Sequence, residues 1–277
     1  MKNKSMSIPL AILILLTVLG STLILSFPPV FANPACGSKI AATTTLTGNI
    51  GPCSGAGLII GANSITLNCA GHTISAKSGN TNDGITLSDV TGVTVKNCKV
   101  TGFDSGFYLY STSYNTLTGN TANSNGAGFY LYGSYSGDTL SGNTANSNTL
   151  YGFYLYSCWS VTLSGNTANS NGQDGFLLSG STGITLAGNT ANSNGIGFIL
   201  VDSNANTLTK NTANKNTVFG YDDGPGTSSS AGVPHWDTEN SYGTTKAALS
   251  TTGDKGTGNV DGLAYGNANL ETATSPF

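Results

Sequence analysis

Few side chains in this sequence can move a proton or hold a metal, and they are dispersed. Asp83, Asp89, Asp104, Asp138, Asp174 and Asp202 stand singly among Gly, Ser and Asn. General acid–base chemistry needs two titratable groups converging on one bond. These acids take unrelated places in the repeat set out below: Asp138 precedes a Thr-Leu-Ser pulse, Asp174 a Gly-Phe-Leu-Leu pulse. They are expected as solvated turn residues, and no catalytic residue is assigned. His72, after Gly71, reads as a hydrogen-bonded turn histidine. The densest acidic group is Asp222, Asp223, Asp237 and Glu239 near His235. Its oxygens suit calcium but lack a binding-loop signature. The cysteines are not at metal-ligand spacing, so no metal and no cofactor is assigned.

Contact chemistry is better supplied. Tyr108 and Tyr110, Tyr130 and Tyr132, and Tyr154 and Tyr156 form three Tyr-x-Tyr pairs, each interleaved with an apolar Phe and Leu. In a strand, residues two apart share a face, so each pair points one way and its Phe and Leu the other. Stacked in register, the pairs become two parallel tyrosine rows on one flat face. Such a row suits an extended glycan, with ring faces for sugar rings and hydroxyls at the edge. Mutual stacking that stabilises the sheet would produce the same rows. The face fades to Leu177 and Ser179, then Ile199 and Val201.

What would put the pairs in register is a repeat. The phrase Thr-Leu-Thr/Ser/Ala-Gly/Lys-Asn-Thr-Ala-Asn begins at Thr116, Thr139, Thr162, Thr185 and Thr207, in steps of 23, 23, 23 and 22 residues. A fixed period of this size marks a stack of equal units. Each unit has three short apolar pulses of period two, too short for helices and separated by Gly and Asn. The predicted unit is a coil of three strands and three turns. Stacking places Phe107, Phe129, Phe153, Phe176 and Phe198 in one inward column, and Leu117, Leu140, Leu163, Leu186 and Leu208 in another. Ala122, Ala145, Ala168, Ala191 and Ala213 make a small-residue column, and Asn120, Asn143, Asn166, Asn189 and Asn211 recur at a bend. Stacked amides can bond along the axis. The fold class predicted is all-β: a single-stranded right-handed parallel β-helix with coils of about 22–24 residues and caps at both ends.

Three segments carry a family resemblance: Ile65-Thr66-Leu67-Asn68-Cys69-Ala70-Gly71-His72-Thr73-Ile74, Val93-Thr94-Val95-Lys96-Asn97-Cys98, and the Asn-Thr-Leu-Thr-Gly-Asn-Thr-Ala-Asn phrase. Together, over roughly residues 58–221, they resemble the NosD-like periplasmic domains of the pectate-lyase-like β-helix superfold. The resemblance implies an exported accessory protein. It also implies a superfold shared by lyases, hydrolases, adhesins and accessory proteins, so function must be argued from the site. Copper, suggested by the analogy, would need His, Met or Cys clusters, and Met1 and Met6 both lie in the leader.

Composition narrows the partners. Charged residues are 8% of the chain, the pI is about 5.1 and arginine is absent, which argues against a nucleic-acid partner. Lys2 and Lys4 precede an apolar run, Ile8–Leu25, and a small residue at Ala32. Residues 1–32 are expected as a signal peptide, an uncleaved anchor being the alternative, with no membrane contact after cleavage. Residues 33–57 are expected as an N-terminal cap, 58–221 as the β-helix, and 222–277 as a C-terminal cap and poorly ordered tail. Five cysteines fit an exported chain. Cys36 and Cys53 are the expected disulfide; Cys69 and Cys98 face each other bonded or not; Cys158 is left over.

These readings converge on a secreted, periplasmic or cell-surface β-helix scaffold. It is expected to be non-catalytic and to bind extended carbohydrate, a polysaccharide or cell-surface glycan, through the tyrosine face. Two alternatives stay open: a carbohydrate-active lyase or hydrolase, and a structural accessory protein with no small ligand.

Overall fold

The computed structural model describes residues 33–223 and 235–236. The expected leader, residues 1–32, and most of the tail lie outside the described residues. Every strand pairing is parallel. Two nine-stranded sheets run the length of the stack, and a third, narrower sheet closes each coil. A coil passes once through each sheet; for example Ala127–Tyr132, Thr139–Ser141 and then the single bridge at Thr144. Among the described residues there is no helix.

The register places equal residues above one another. Phe107 pairs with Phe129, Phe129 with Phe153, Phe153 with Phe176 and Phe176 with Phe198. Their rings stack at 4.6–4.8 Å with interplanar angles of 2–8°. Tyr221 continues the column inward on Phe198, at 4.9 Å. Leu117, Leu140, Leu163, Leu186 and Leu208 form the predicted column of the second sheet, all fully buried. The alanine column is small for a reason. A Cβ added at Gly128 would lie 2.6 Å from Ala145 Cβ and 2.6 Å from the Gly152 carbonyl oxygen, so the strand entering the first sheet can only pass the third as glycine against alanine.

The asparagines bond along the axis. In the predicted column, Asn166 Oδ1 accepts from the Asn143 backbone N–H at 2.9 Å and from Asn143 Nδ2 at 3.0 Å. Its own Nδ2 donates to Leu140 C=O at 2.9 Å and to Asn189 Oδ1 at 3.0 Å. A second ladder runs beside it through Asn125, Asn148, Asn171, Asn194 and Asn216. The turns themselves need left-handed backbone: Gly119, Gly142, Gly165 and Gly188 hold the same corner at φ 60–64°, with Asn97 and Lys210 filling it at the ends.

The start of the stack is itself built of strands. The segment expected as a cap is a complete first coil: Ser38–Ile40, Thr44–Thr45 and Ile50–Cys53 pair with Leu58–Ile60, Thr66–Asn68 and Thr73–Ala76. Its strands are short and poor in alternation, and carry Pro52, so they do not read as strands by pattern. Cys36 and Cys53 are bonded, with 5.5 Å between Cα atoms, and so are Cys69 and Cys98, at 4.6 Å. After Ala76 the chain bulges before Ile85; Asn80 Nδ2 ties that loop to the Cys53 and Gly55 carbonyls. At the other end, Phe219–Asp223 adds to the first sheet and His235–Trp236 to the second.

Candidate functional site

The outward face of the first sheet carries the tyrosines. Tyr108, Tyr130 and Tyr154 are paired in register, and so are Tyr110, Tyr132 and Tyr156. The inner row is half-buried, and Tyr130 and Tyr154 lie flat on each other at 4.8 Å and 4°. The outer row is open: Tyr110, Tyr132 and Tyr156 are 37–39% exposed, their rings inclined by 45–51° to their neighbours. Tyr151 adds a further ring, 5.1 Å from Tyr154. Burial and the surrounding tyrosines push the Tyr130 hydroxyl up to about 12. It stays protonated at neutral pH and remains able to donate a hydrogen bond.

Beyond the rows, the expected fading occurs in register: Leu177 and Ile199 follow Tyr154, and Ser179 and Val201 follow Tyr156. Asp222 comes next in the inner row, paired with Ile199. Beside the rows runs a column that pattern alone did not reveal. Ser105 pairs with Ala127 and Asp174 with Ile196, and Asp83 and Tyr151 hold the equivalent places two residues before the inward Ile85 and Phe153. Asp83 and Asp174 therefore occupy matching positions on one face, contrary to the expectation that the acids share none. Burial raises the Asp83 carboxyl above the ordinary carboxylate range against a hydrogen bond to Ser105, and Asp104 adds to the rise. Burial pushes Asp174 up to about 6; the Ile196 backbone N–H opposes the shift and Asp222 adds to it. Asp222 is itself raised by burial.

Asp138 is another correction. It is fully buried, not a solvated turn residue. Its Oδ2 accepts from Thr112 Oγ1 at 2.6 Å, and its Oδ1 from the Asn115 backbone N–H at 2.7 Å and Asn115 Nδ2 at 3.1 Å. It fills an inward turn position that Asn115 holds one coil earlier, so it acts as a ladder rung. Cys158, the leftover cysteine, is a buried free thiol. Burial pushes it up to about 11, a hydrogen bond from Ser134 opposing and Asp138 adding. That leaves it mostly as the unreactive thiol at neutral pH. His72 donates its backbone N–H to Cys69 C=O at 2.8 Å, closing a tight turn. Of the four calcium candidates only the Asp222 carboxylate is described. The Asp223 side chain, and Asp237 and Glu239 altogether, lie outside the described residues.

Stacked parallel coils with an aromatic outer face define a right-handed parallel β-helix protein. The chain belongs to the NosD family: the family model described as periplasmic copper-binding protein (NosD) matches residues 42–260. The family is a periplasmic one, in keeping with an exported chain. No curated protein sequence matches. Among solved structures, the periplasmic alginate epimerase AlgG is 17% identical with a TM-score of 0.51, over 60% of this chain and 44% of that one. A mutant DFA-IIIase from Arthrobacter chlorophenolicus A6, in complex with DFA-III, is 11% identical with a TM-score of 0.52, over 68% of this chain and 45% of that one. The likeness is one of fold, and the chain spans under half the length of either.

The family description makes copper the group to test. Among the described residues no three His, Cys, Asp or Glu side chains come together. Four cysteines are oxidised in pairs and the fifth is a buried thiol. Copper needs imidazole, thiolate or thioether donors converging at one point. The described residues do not fit it.

Proposed function

We propose that this protein is an exported, non-catalytic β-helix scaffold that binds extended carbohydrate through Tyr108, Tyr110, Tyr130, Tyr132, Tyr154 and Tyr156. The observation that carries the reading is the open outer row, three rings in register and each more than a third exposed, beside a half-buried inner row. Strands hold the rings in place, so little side-chain entropy is lost on contact with ligand. Rows spaced by about 4.8 Å along the stack present repeated contacts to a polymer, so affinity rises with chain length. The test is affinity electrophoresis of the purified protein in gels holding soluble polysaccharides. Tyr130→Ala with Tyr132→Ala should abolish retardation, whereas Leu177→Ala, beyond the rows, should leave it. Equal retardation of the double variant and the parent would make the rows purely structural.

One observation favours the enzyme reading instead: Asp174 and Asp222 are two half-buried acids that feel each other's charge beside the tyrosines. They stand two strands apart in the first sheet. Loss of a measurable depolymerising activity on Asp174→Asn or Asp222→Asn would establish that reading.

A further inference from the structure

Among the described residues, the charges of the stack are sorted by face. Asp83, Asp174 and Asp222 stand on the outer side of the first sheet, among or beside the tyrosine rows. Asp104 immediately precedes its strand Ser105–Tyr110. Asp89 and Asp202 occupy the turn that leaves it, at φ 54° and 49°. Of the lysines, Lys39 is on this sheet, in the first coil, three strands before Tyr108. Lys96 stands on the second sheet and Lys99 on the third, with Lys210 in a turn between these two. Lys77 and Lys215 lie in turns leaving the third sheet. Among the described residues, six carboxylates thus lie on or around one aromatic patch, with a single lysine at its far end.

The two ends of the patch are built alike. Burial raises the Tyr108 and Tyr151 hydroxyls, and the charge of a nearby acid adds to each rise, Asp83 for Tyr108 and Asp174 for Tyr151. These two acids share one column four strands apart, about 19 Å at the usual strand spacing. That span holds all of the tyrosine pairs. A polymer lying on the rings therefore meets a carboxylate at each end of its contact. Carboxylates accept hydrogen bonds from sugar hydroxyls. Toward a polymer that itself carries carboxylates, the same groups are repulsive.

We infer that the acids bracketing the tyrosine rows make this face selective for neutral polysaccharides and exclude polyuronides. The inference rests on the carbohydrate-binding reading above and goes further by naming the ligand class. Hydroxyl-rich uncharged chains gain ring contacts and carboxylate acceptors together. Uronate chains gain the ring contacts and meet repulsion at both ends. The fold itself is shared with an epimerase named for alginate, so this charge pattern, rather than the architecture, decides the ligand class.

The experiment is affinity electrophoresis of the full chain, with a chelator present. One set of gels holds neutral polymers (xyloglucan, glucomannan, hydroxyethylcellulose) and the other holds alginate or polygalacturonate. Retardation is expected in at least one neutral gel, with apparent affinity for the uronates at least about tenfold weaker. Asp83→Asn with Asp174→Asn and Asp222→Asn should bring uronate retardation up to the neutral level. A measurement on the unmodified protein does not depend on that variant folding: moving from about 10 mM to about 0.5 M salt should strengthen uronate retardation while leaving neutral retardation unchanged. Equal retardation by neutral and uronate polymers at low salt overturns the selectivity and leaves the carbohydrate face standing. So does uronate binding that appears when calcium replaces the chelator, because the acids would then be cation bridges. Retardation by no polymer of either kind overturns the face reading and this inference together.

Discussion

The turn after the second sheet is fastened by different chemistry in the coils before Val100 and in those after Asn115. Cys69 and Cys98 come first, joined as a disulfide; Asn120, Asn143, Asn166, Asn189 and Asn211 follow, joined by amide hydrogen bonds. The two meet where the Cys98 backbone N–H donates to Asn120 Oδ1 at 3.0 Å. An amide ladder is exacting: each side chain must reach the coil before and the coil after, so it needs coils of near-constant length. The asparagines oblige, at 22–23 residues apart, while the cysteines are 29 apart, across the loop after Ala76 and a longer turn at Cys69. A disulfide has its own strict local geometry, but it joins two positions only and sets no repeat beyond them, so it tolerates irregular coils. Regularity therefore decides which fastening is available, and both leave buried backbone N–H groups satisfied.

The largest effect should come from breaking the ladder at its centre. Asn166→Ala removes four hydrogen bonds and strands the buried Asn143 backbone N–H, which should cost roughly 3–6 kcal/mol and be read as a large drop in unfolding midpoint. A loss under about 1 kcal/mol would mean that water replaces the rung, and the ladder would not be the counterpart of the disulfide. Next comes the disulfide itself. Cys69→Ser with Cys98→Ser should cost roughly 3–4 kcal/mol, from a loop closed over 29 residues. The loss should fall on the N-terminal coils, so native-state hydrogen exchange should rise there and stay low around Leu163. Uniform acceleration would show the two regions to be one cooperative unit. Leu163→Ala, in the fully buried leucine column, should cost about 2–5 kcal/mol, because the flanking coils cannot collapse into the gap.

The smallest effect concerns the face rather than the fastening. Asp174 has a pKa of about 6 in the fold, raised chiefly by burial above its ordinary 3.8. The folded chain thus holds more protons than the unfolded chain between about pH 4 and pH 6, and stability falls as pH rises through that window. Asp174→Asn should stabilise the protein by roughly 1–2 kcal/mol at pH 7, discounted for solvent screening, and hardly at all at pH 4. Thermal unfolding at the two pH values checks it; an equal gain at both would mean that the carboxylate charge is not the cause.

The tyrosine rows and the charge around them show how far the sequence carries. Tyr108, Tyr130 and Tyr154 were legible as a row because the repeated Gly-Phe-Tyr-Leu-Tyr aligns by inspection. Asp83, Ser105, Ala127, Tyr151 and Asp174 form a column of unlike residues, and nothing in their types announces that they align. Coil lengths hide it further: Phe107 to Phe129 is 22 residues and Phe129 to Phe153 is 24, so equal positions cannot be found by counting a fixed period. The second asparagine ladder was open to the same reasoning as the first, since Asn125, Asn148, Asn171, Asn194 and Asn216 recur as regularly.

By itself the sequence determined the coil, the parallel stacking, the Phe, Leu, Ala and first Asn columns, and the Cys36–Cys53 pair. All but the cysteine pair follow from repetition: equivalent residues must stack if the units stack, and apolar ones must stack inward. Only the tertiary structure decided that residues 38–53 already form a coil, that Asp138 is a buried rung, and that the acids gather on the tyrosine sheet. Those outcomes depend on the direction each turn residue takes as the backbone passes through its left-handed positions. That direction is set by the coils above and below, whose carbonyls and N–H groups must be met, and not by the residue or its neighbours in sequence.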